Sequence, residues 1–207
     1  FGGAMDAGVA ATYSDLMAQS QLLVADDTLA TVDFSGIGTL MDIGGGSGAF
    51  LAAVGAAYAD LSLMLFDLPE VAPSATSRFA AAGMSARARI IGGSFREEAL
   101  PKGADAISLV RVLYDHSDGT VTDLLAKCFA ALPSGGRLII SEPMTGGAQP
   151  TKAGDAYFAL YTLAMRTGRT RSAYEIAALC HAAGFEDVKT PKARRAFVTS
   201  CVEARKP

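Results

Sequence analysis

A chain of 207 residues is long enough for one substantial domain. It is 50% apolar with a net charge of −3 and mixed signs, which excludes a disordered chain and leaves no basic stripe for nucleic acid. No run reaches the roughly 18 apolar residues of a membrane span, and Cys128, Cys180 and Cys201 lack any CxxC spacing, so they read as reduced thiols of a cytoplasmic protein.

The chain opens on Phe1 with no initiator Met and no signal-peptide pattern, and is expected to be the later part of a longer protein. Val9, Tyr13, Leu16, Met17, Leu23 and Val24 recur at helical spacing, which predicts an amphipathic helix over 6–24. Residues 1–36 are taken as a helical lead-in and 37–207 as the domain proper. After the "DFSGIG" turn, apolar runs at 39–43, 61–66, 88–91, 106–110 and 137–141 alternate with helical segments at 48–58, 70–82, 119–132 and 155–166. Strands that are apolar on both faces and separated by helices suit the interior of a parallel sheet. The last quarter breaks the pattern. A helix over 172–185 precedes "FEDVKT" and "AFVTSCV" (196–202), whose short connection predicts an antiparallel pair at one end of the sheet.

The first strand runs into "DIGGGSGAF". Gly44, Gly46 and Ala49 fit G-x-G-x-x-A, and Asp67 ends the second strand about 20 residues later, so a dinucleotide-binding domain is one reading. Asp42, two residues before the first glycine, and the C-terminal strand pair point instead to S-adenosylmethionine. A turn that binds nothing, with Asp42 as a simple cap, is the bland alternative.

"DIGGGSGAFL", "FDLPEV", "LVRVLYDHSD", "LPSGGRLIISEPM" and "AGF" occur in an order and spacing that resemble the catalytic domain of the caffeate and acetylserotonin type O-methyltransferases. "GSFREEALPKGADAISLVRVLYDHSD", "GDAYFALYTLAMRTGRTRS" and "FVTS" are similar to the hydroxyneurosporene (demethylspheroidene) branch of bacterial carotenoid biosynthesis. The resemblance implies a class I methyltransferase, Rossmann-like α/β fold. Its sheet would be seven-stranded and mainly parallel with one antiparallel strand, with helices on both faces. It also implies that S-adenosyl-L-methionine is the cofactor and S-adenosyl-L-homocysteine the product. Asp42, Gly44, Gly45, Gly46 and Gly48 would hold the amino-acid end, Asp67 and Leu68 the ribose, Gly93, Ser94 and Phe95 the adenine, and Arg111 a further cofactor contact. Relatives carry an acid where Gly93 stands, so the adenine contact there falls to the backbone. Phe1, Met5, Phe158, Tyr161 and Met165 would line the acceptor pocket, although each also suits ordinary helix packing. The family's N-terminal dimerisation domain does not occur in this chain, and the full-length protein is expected to be a homodimer. The partner is expected to be a lipophilic small-molecule hydroxyl acceptor, with peripheral membrane contact compatible with its collection.

Methyl transfer is an in-line displacement at a sulfonium methyl, and alignment supplies on the order of 7 to 11 kcal/mol in favourable cases. Relatives remove the acceptor proton with a histidine, whose pKa near 6.5 suits a phenol. Here Tyr114 occupies that position, His116 follows two residues later, and Glu142 matches the family's orienting glutamate. Three readings follow: Tyr114 positions the acceptor oxygen while the proton leaves late through Glu142 or water; His116 swings in as the base; or the site only binds. A tertiary aliphatic alcohol gains less from a histidine base than a phenol does, which favours a carotenoid acceptor over a phenolic or polyketide hydroxyl. Relatives also have an acid where Thr170 stands. His181 reads as structural and Asp155 as a helix cap. No His, Asp and Glu cluster has metal-ligand spacing, so a metal-independent enzyme is expected.

Overall fold

The computed structural model describes residues 20–145, 156, 158, 160, 162, 163 and 168–207. A helix over 20–31 (α1) leads into β1 (Thr39–Ile43), α2 (Ala49–Ala57), β2 (Ser62–Asp67), α3 (Ala72–Ala81), β3 (Ala88–Gly92) and β4 (Ala106–Val110). Then come α4 (Asp118–Ala131), β5 (Arg137–Glu142), α5 (Ala173–Ala182), β6 (Glu186–Lys189) and β7 (Ser200–Arg205). Residues 156, 158, 160, 162 and 163 are also helical. The seven strands form one sheet in the order β3-β2-β1-β4-β5-β7-β6. All neighbours from β3 to β5 are parallel, while β7 runs antiparallel to both β5 and β6. The mainly parallel sheet with one antiparallel strand is the expected architecture.

The period-2 alternation of strand side chains explains why the runs are apolar throughout. Met41, Ile43, Met64, Phe66, Ile107, Leu109, Leu138 and Ile140 face one core, closed by Leu124, Leu125 and Cys128 of α4 and Ile176 and Cys180 of α5. Leu40, Leu63, Leu65, Ala106, Val110 and Ile139 face the other, closed by Phe50, Leu51 and Val54 of α2, Phe79 of α3, and Val24 and Ala25 of α1. All three cysteines are free and buried.

Two boundaries differ from the sequence reading. Helix α1 continues to 31, past the expected end at 24, because its polar residues are satisfied inside. Thr28 Oγ1 donates to Val24 O and pairs with Ser141 Oγ, and buried Asp27 is held by Arg195 at 2.8 Å. The last strand begins at Ser200, not 196. Arg195, tied to Asp27, starts a turn in which Val198 N and Thr199 N both donate to Arg195 O, and pairing with β5 begins only beyond it.

Candidate active site

Strand order reverses between β1 and β4, and the crevice at such a switch point lies beyond the C-terminal strand ends. A cavity of about 420 Å³ opens there. Gly44 lines it from the loop after β1, Asp67 and Leu68 from β2, Gly93, Ser94, Phe95 and Arg96 from β3, and Arg111, Val112, Asp115 and His116 from β4.

Gly44, Gly46 and Gly48 all take positive φ, the conformation that turns the chain from β1 into α2. Gly45 is needed for a different reason: a Cβ there would lie 2.6 Å from Asp42 Oδ2. Asp42 is buried beneath this loop, and its Oδ1 accepts from Ser108 Oγ at 2.6 Å. Its Oδ2 has no partner among the described residues. Burial pushes the Asp42 carboxyl up to about 7 against the pull of the Ser108 hydroxyl, and the charge of Asp67 adds to the rise. The Asp67 carboxylate accepts from Gly46 N and Leu68 N, each at 2.7 Å, which ties the glycine loop to the end of β2.

At the far wall, a Cβ on Gly93 would meet the Phe66 ring at 2.7 Å and Glu98 Oε2 at 3.0 Å. The acid expected of relatives has no room at this position. Arg111 has φ 58, donates its amide to Ser141 O, and sends Nη1 to Ser20 Oγ at 2.9 Å on α1.

The segment after Arg111 carries Tyr114 and His116, which the sequence singled out together with Glu142. Val112 N and Leu113 N donate to Glu142 Oε1 at 2.7 and 2.8 Å, and Tyr114 N to Oε2 at 3.3 Å. Glu142 therefore acts on Tyr114 through the backbone, with both oxygens taken up by amides. Burial pushes its carboxyl up to about 7, the three amides oppose that rise, and Asp115 adds to it. Leu113–Asp115 form one 3-10 turn, which fans successive side chains about a third of a turn apart. Tyr114 consequently points inward, 4% exposed and edge-on to Phe158 at 6.1 Å. His116 turns to the cavity, where its ring meets Phe95 at 5.2 Å and its Nδ1 contacts Arg96 Nη2 at 2.9 Å. Burial, then Arg96 and Arg171, hold the His116 pKa below the ordinary imidazole value. Sequence spacing grouped His116 with Tyr114 as a base candidate; the turn sends the two side chains to different places.

Asp115, between them, lines the cavity with Oδ1 buried and unpartnered among the described residues. Burial raises its pKa and Arg111 opposes the shift. Thr170, where the family resemblance implies an acid, pairs its hydroxyl with that of Thr145. Phe1, Met5, Tyr161 and Met165, together with Asp155, lie outside the described residues. Arg96, Asp115 and the organising role of Arg171 were not foreseen. Asp115 was the most legible of these, a carboxylate between two residues already singled out. His181 is exposed, with Nδ1 3.2 Å from Phe185 O.

Residues 2–186 match the O-methyltransferase domain family. The chain belongs to that family. The demethylspheroidene O-methyltransferase of Cereibacter sphaeroides is 56% identical over 206 residues, covering 100% of this chain and 54% of its own length. The chain thus spans about half the length of the curated relatives it matches. Among solved structures, the mitomycin 7-O-methyltransferase MmcR superposes with a TM-score of 0.88 at 29% identity, over 98% of this chain and 58% of that one. Human N-acetylserotonin methyltransferase in complex with SAM gives 0.79 at 25% identity, over 94% and 55%.

Proposed function

We propose that this chain is the donor-binding and catalytic portion of an S-adenosylmethionine-dependent O-methyltransferase. Its acceptor is a lipophilic hydroxyl, and a 1-hydroxy carotenoid of the demethylspheroidene type is the best match. One observation carries the cofactor reading: Asp42 Oδ2 is buried under the glycine loop without a partner among the described residues. An uncompensated buried carboxylate is costly, and a ligand ammonium reaching it through the loop offsets that cost. S-adenosylmethionine carries such an ammonium, and when bound it supplies a methyl group made electrophilic by its sulfonium. Asp67, a carboxylate at the end of β2 on the cavity wall, accepts from ribose hydroxyls, and Gly93, Ser94 and Phe95 face the base.

The chain's own contribution to transfer is alignment and exclusion of water. Tyr114 holds the acceptor oxygen by a hydrogen bond from its phenol hydroxyl. Phe158, packed edge-on against it, belongs to the apolar acceptor wall. A tertiary alcohol loses its proton late, to water, since the Glu142 oxygens are occupied by amides and His116 is held at the cofactor cavity. Activation resides in the sulfonium, so no metal ion is required. The 56% identity over the whole chain supports the carotenoid branch. Leu160 and Leu163, 67% and 74% exposed, support peripheral membrane contact, and the family resemblance supports a homodimer of the intact protein.

Calorimetric titration with S-adenosylhomocysteine and with NADH tests the cofactor assignment. Tight S-adenosylhomocysteine binding with no NADH binding is expected; the reverse would overturn the reading.

A further inference from the structure

We propose that His116 is a donor-recognition residue: with Phe95 and Arg96 it closes the nucleoside end of the cavity, and as a neutral imidazole protonated on Nε2 it donates to a ring nitrogen of the purine. This rests on the reading of the cavity as an S-adenosylmethionine site. The sheet order carries the first step. β3 and β4 are separated by β2 and β1, yet the ring of His116, after β4, meets that of Phe95, after β3. Their contact at 5.2 Å and 69° spans the crevice over two intervening strands and walls the cavity that both residues line.

The second step is the tautomer. A guanidinium has donors only, so the 2.9 Å approach of Arg96 Nη2 to Nδ1 requires a lone pair on Nδ1 and leaves the ring proton on Nε2. Adenine presents N7 and N3 as acceptors, so the Nε2–H is the matching partner; protonation of Nδ1 would keep that donor but lose the Arg96 contact that orients the ring. The surrounding charges keep the ring neutral. Arg96 faces it from the segment after β3 and Arg171 from the segment before α5, and both disfavour the cation together with burial. Of the nearby acids, Asp118 is engaged by Arg169 and Arg171, and Asp115 lies within the field of Arg111. Arg171 Nη2 also donates to His116 O at 2.9 Å, which fixes the backbone from which the ring projects.

Calorimetric titration of S-adenosylhomocysteine into the purified protein between about pH 5 and 8 tests this. Wild-type affinity is expected to fall toward pH 5, as the Asp42 carboxylate is protonated and as protonation of Nδ1 removes the Arg96 contact that aims the imidazole. His116→Phe keeps an aromatic wall without a donor; it is expected to bind up to about tenfold more weakly at the upper pH, the scale of one hydrogen bond, and to keep only the part of the pH dependence that Asp42 supplies. His116→Gln keeps a donor that does not titrate and is expected to bind more tightly than His116→Phe with the same residual profile. His116→Phe with wild-type affinity and wild-type pH dependence would overturn the proposal alone. A wild-type protein that takes up no S-adenosylhomocysteine would overturn it together with the function it rests on.

Discussion

Glu142 accepts the amides of Val112 and Leu113 at 2.7 and 2.8 Å, while Arg171 donates to the carbonyls of Leu113 and His116 at 2.8 and 2.9 Å. One buried anion and one buried cation thus hold the turn carrying Tyr114, Asp115 and His116, each by the backbone groups that the other leaves. Arg171 completes its set with Asp118 Oδ1 at 2.6 Å and the carbonyl of Arg169 at 3.1 Å.

Removing either side leaves buried polar groups without partners, at about 1–3 kcal/mol each. Glu142→Ala is therefore expected to destabilise the protein by roughly 3–5 kcal/mol. Glu142→Gln, which keeps one acceptor oxygen, is expected to lose less. Urea unfolding of the two variants checks this, and equal stability of Glu142→Ala and wild type would show that the three amides find other partners.

Gly168 sits against the same turn with φ 75. A Cβ there would collide with the carbonyl oxygen of Tyr114 and lie 2.7 Å from His116 N, both backbone atoms that cannot swing aside. Gly168→Ala is expected to cost more than about 2 kcal/mol of stability and at least tenfold in turnover, because the strain displaces Tyr114. Thermal unfolding and steady-state kinetics read the two effects separately.

Tyr114→Phe removes the hydroxyl while keeping the packing against Phe158. If the phenol holds the acceptor oxygen, turnover is expected to fall by about ten- to a hundredfold with little change in S-adenosylhomocysteine affinity. Full turnover would remove Tyr114 from the chemistry.

Asp42 and Glu142 share a pH signature. Each is raised to about 7 in the folded chain, from ordinary carboxylate values of about 4, so the folded state binds more protons than the unfolded one between those limits. Their contribution to stability is complete below about pH 4 and is lost as the pH rises through about 7. Asp42→Asn removes the charge, and is expected to stabilise the ligand-free protein at pH 8 by on the order of 1–3 kcal/mol while weakening S-adenosylmethionine binding. Urea titrations at pH 5 and 8 check the first, because the gain from Asp42→Asn is expected to be larger at pH 8, above the folded pKa, than at pH 5, where the folded carboxyl is still protonated; calorimetry checks the second.

The sheet was legible because its strands are covered on both faces: "LMLF" and "AISLV" contain little but core residues. The final strand was misplaced because "CVEAR" carries Glu203 and Arg205 on a partly exposed strand, and the more apolar "AFV" before it is a turn anchored by Arg195. In the site, the glycine loop and Asp67 follow from local chemistry and were readable. The two-residue offset already argues that His116 and Tyr114 point apart; where each goes was not readable, since it depends on the 3-10 turn that Glu142 holds from β5. Nothing in "GRTRS" marks Arg171 as an interior residue, and only the folded chain shows it 2% exposed across five hydrogen bonds.

The most direct measurement follows label from the methyl group of S-adenosylmethionine into a 1-hydroxy carotenoid and, in parallel, into a catechol. Label in the carotenoid alone is the expected result and would establish methyl transfer to that acceptor by a chain with Tyr114 where the family resemblance implies a histidine. Label in the catechol alone would contradict the acceptor assignment, and no label in either, with S-adenosylhomocysteine still bound, would contradict methyl transfer to these acceptors and leave a binding role.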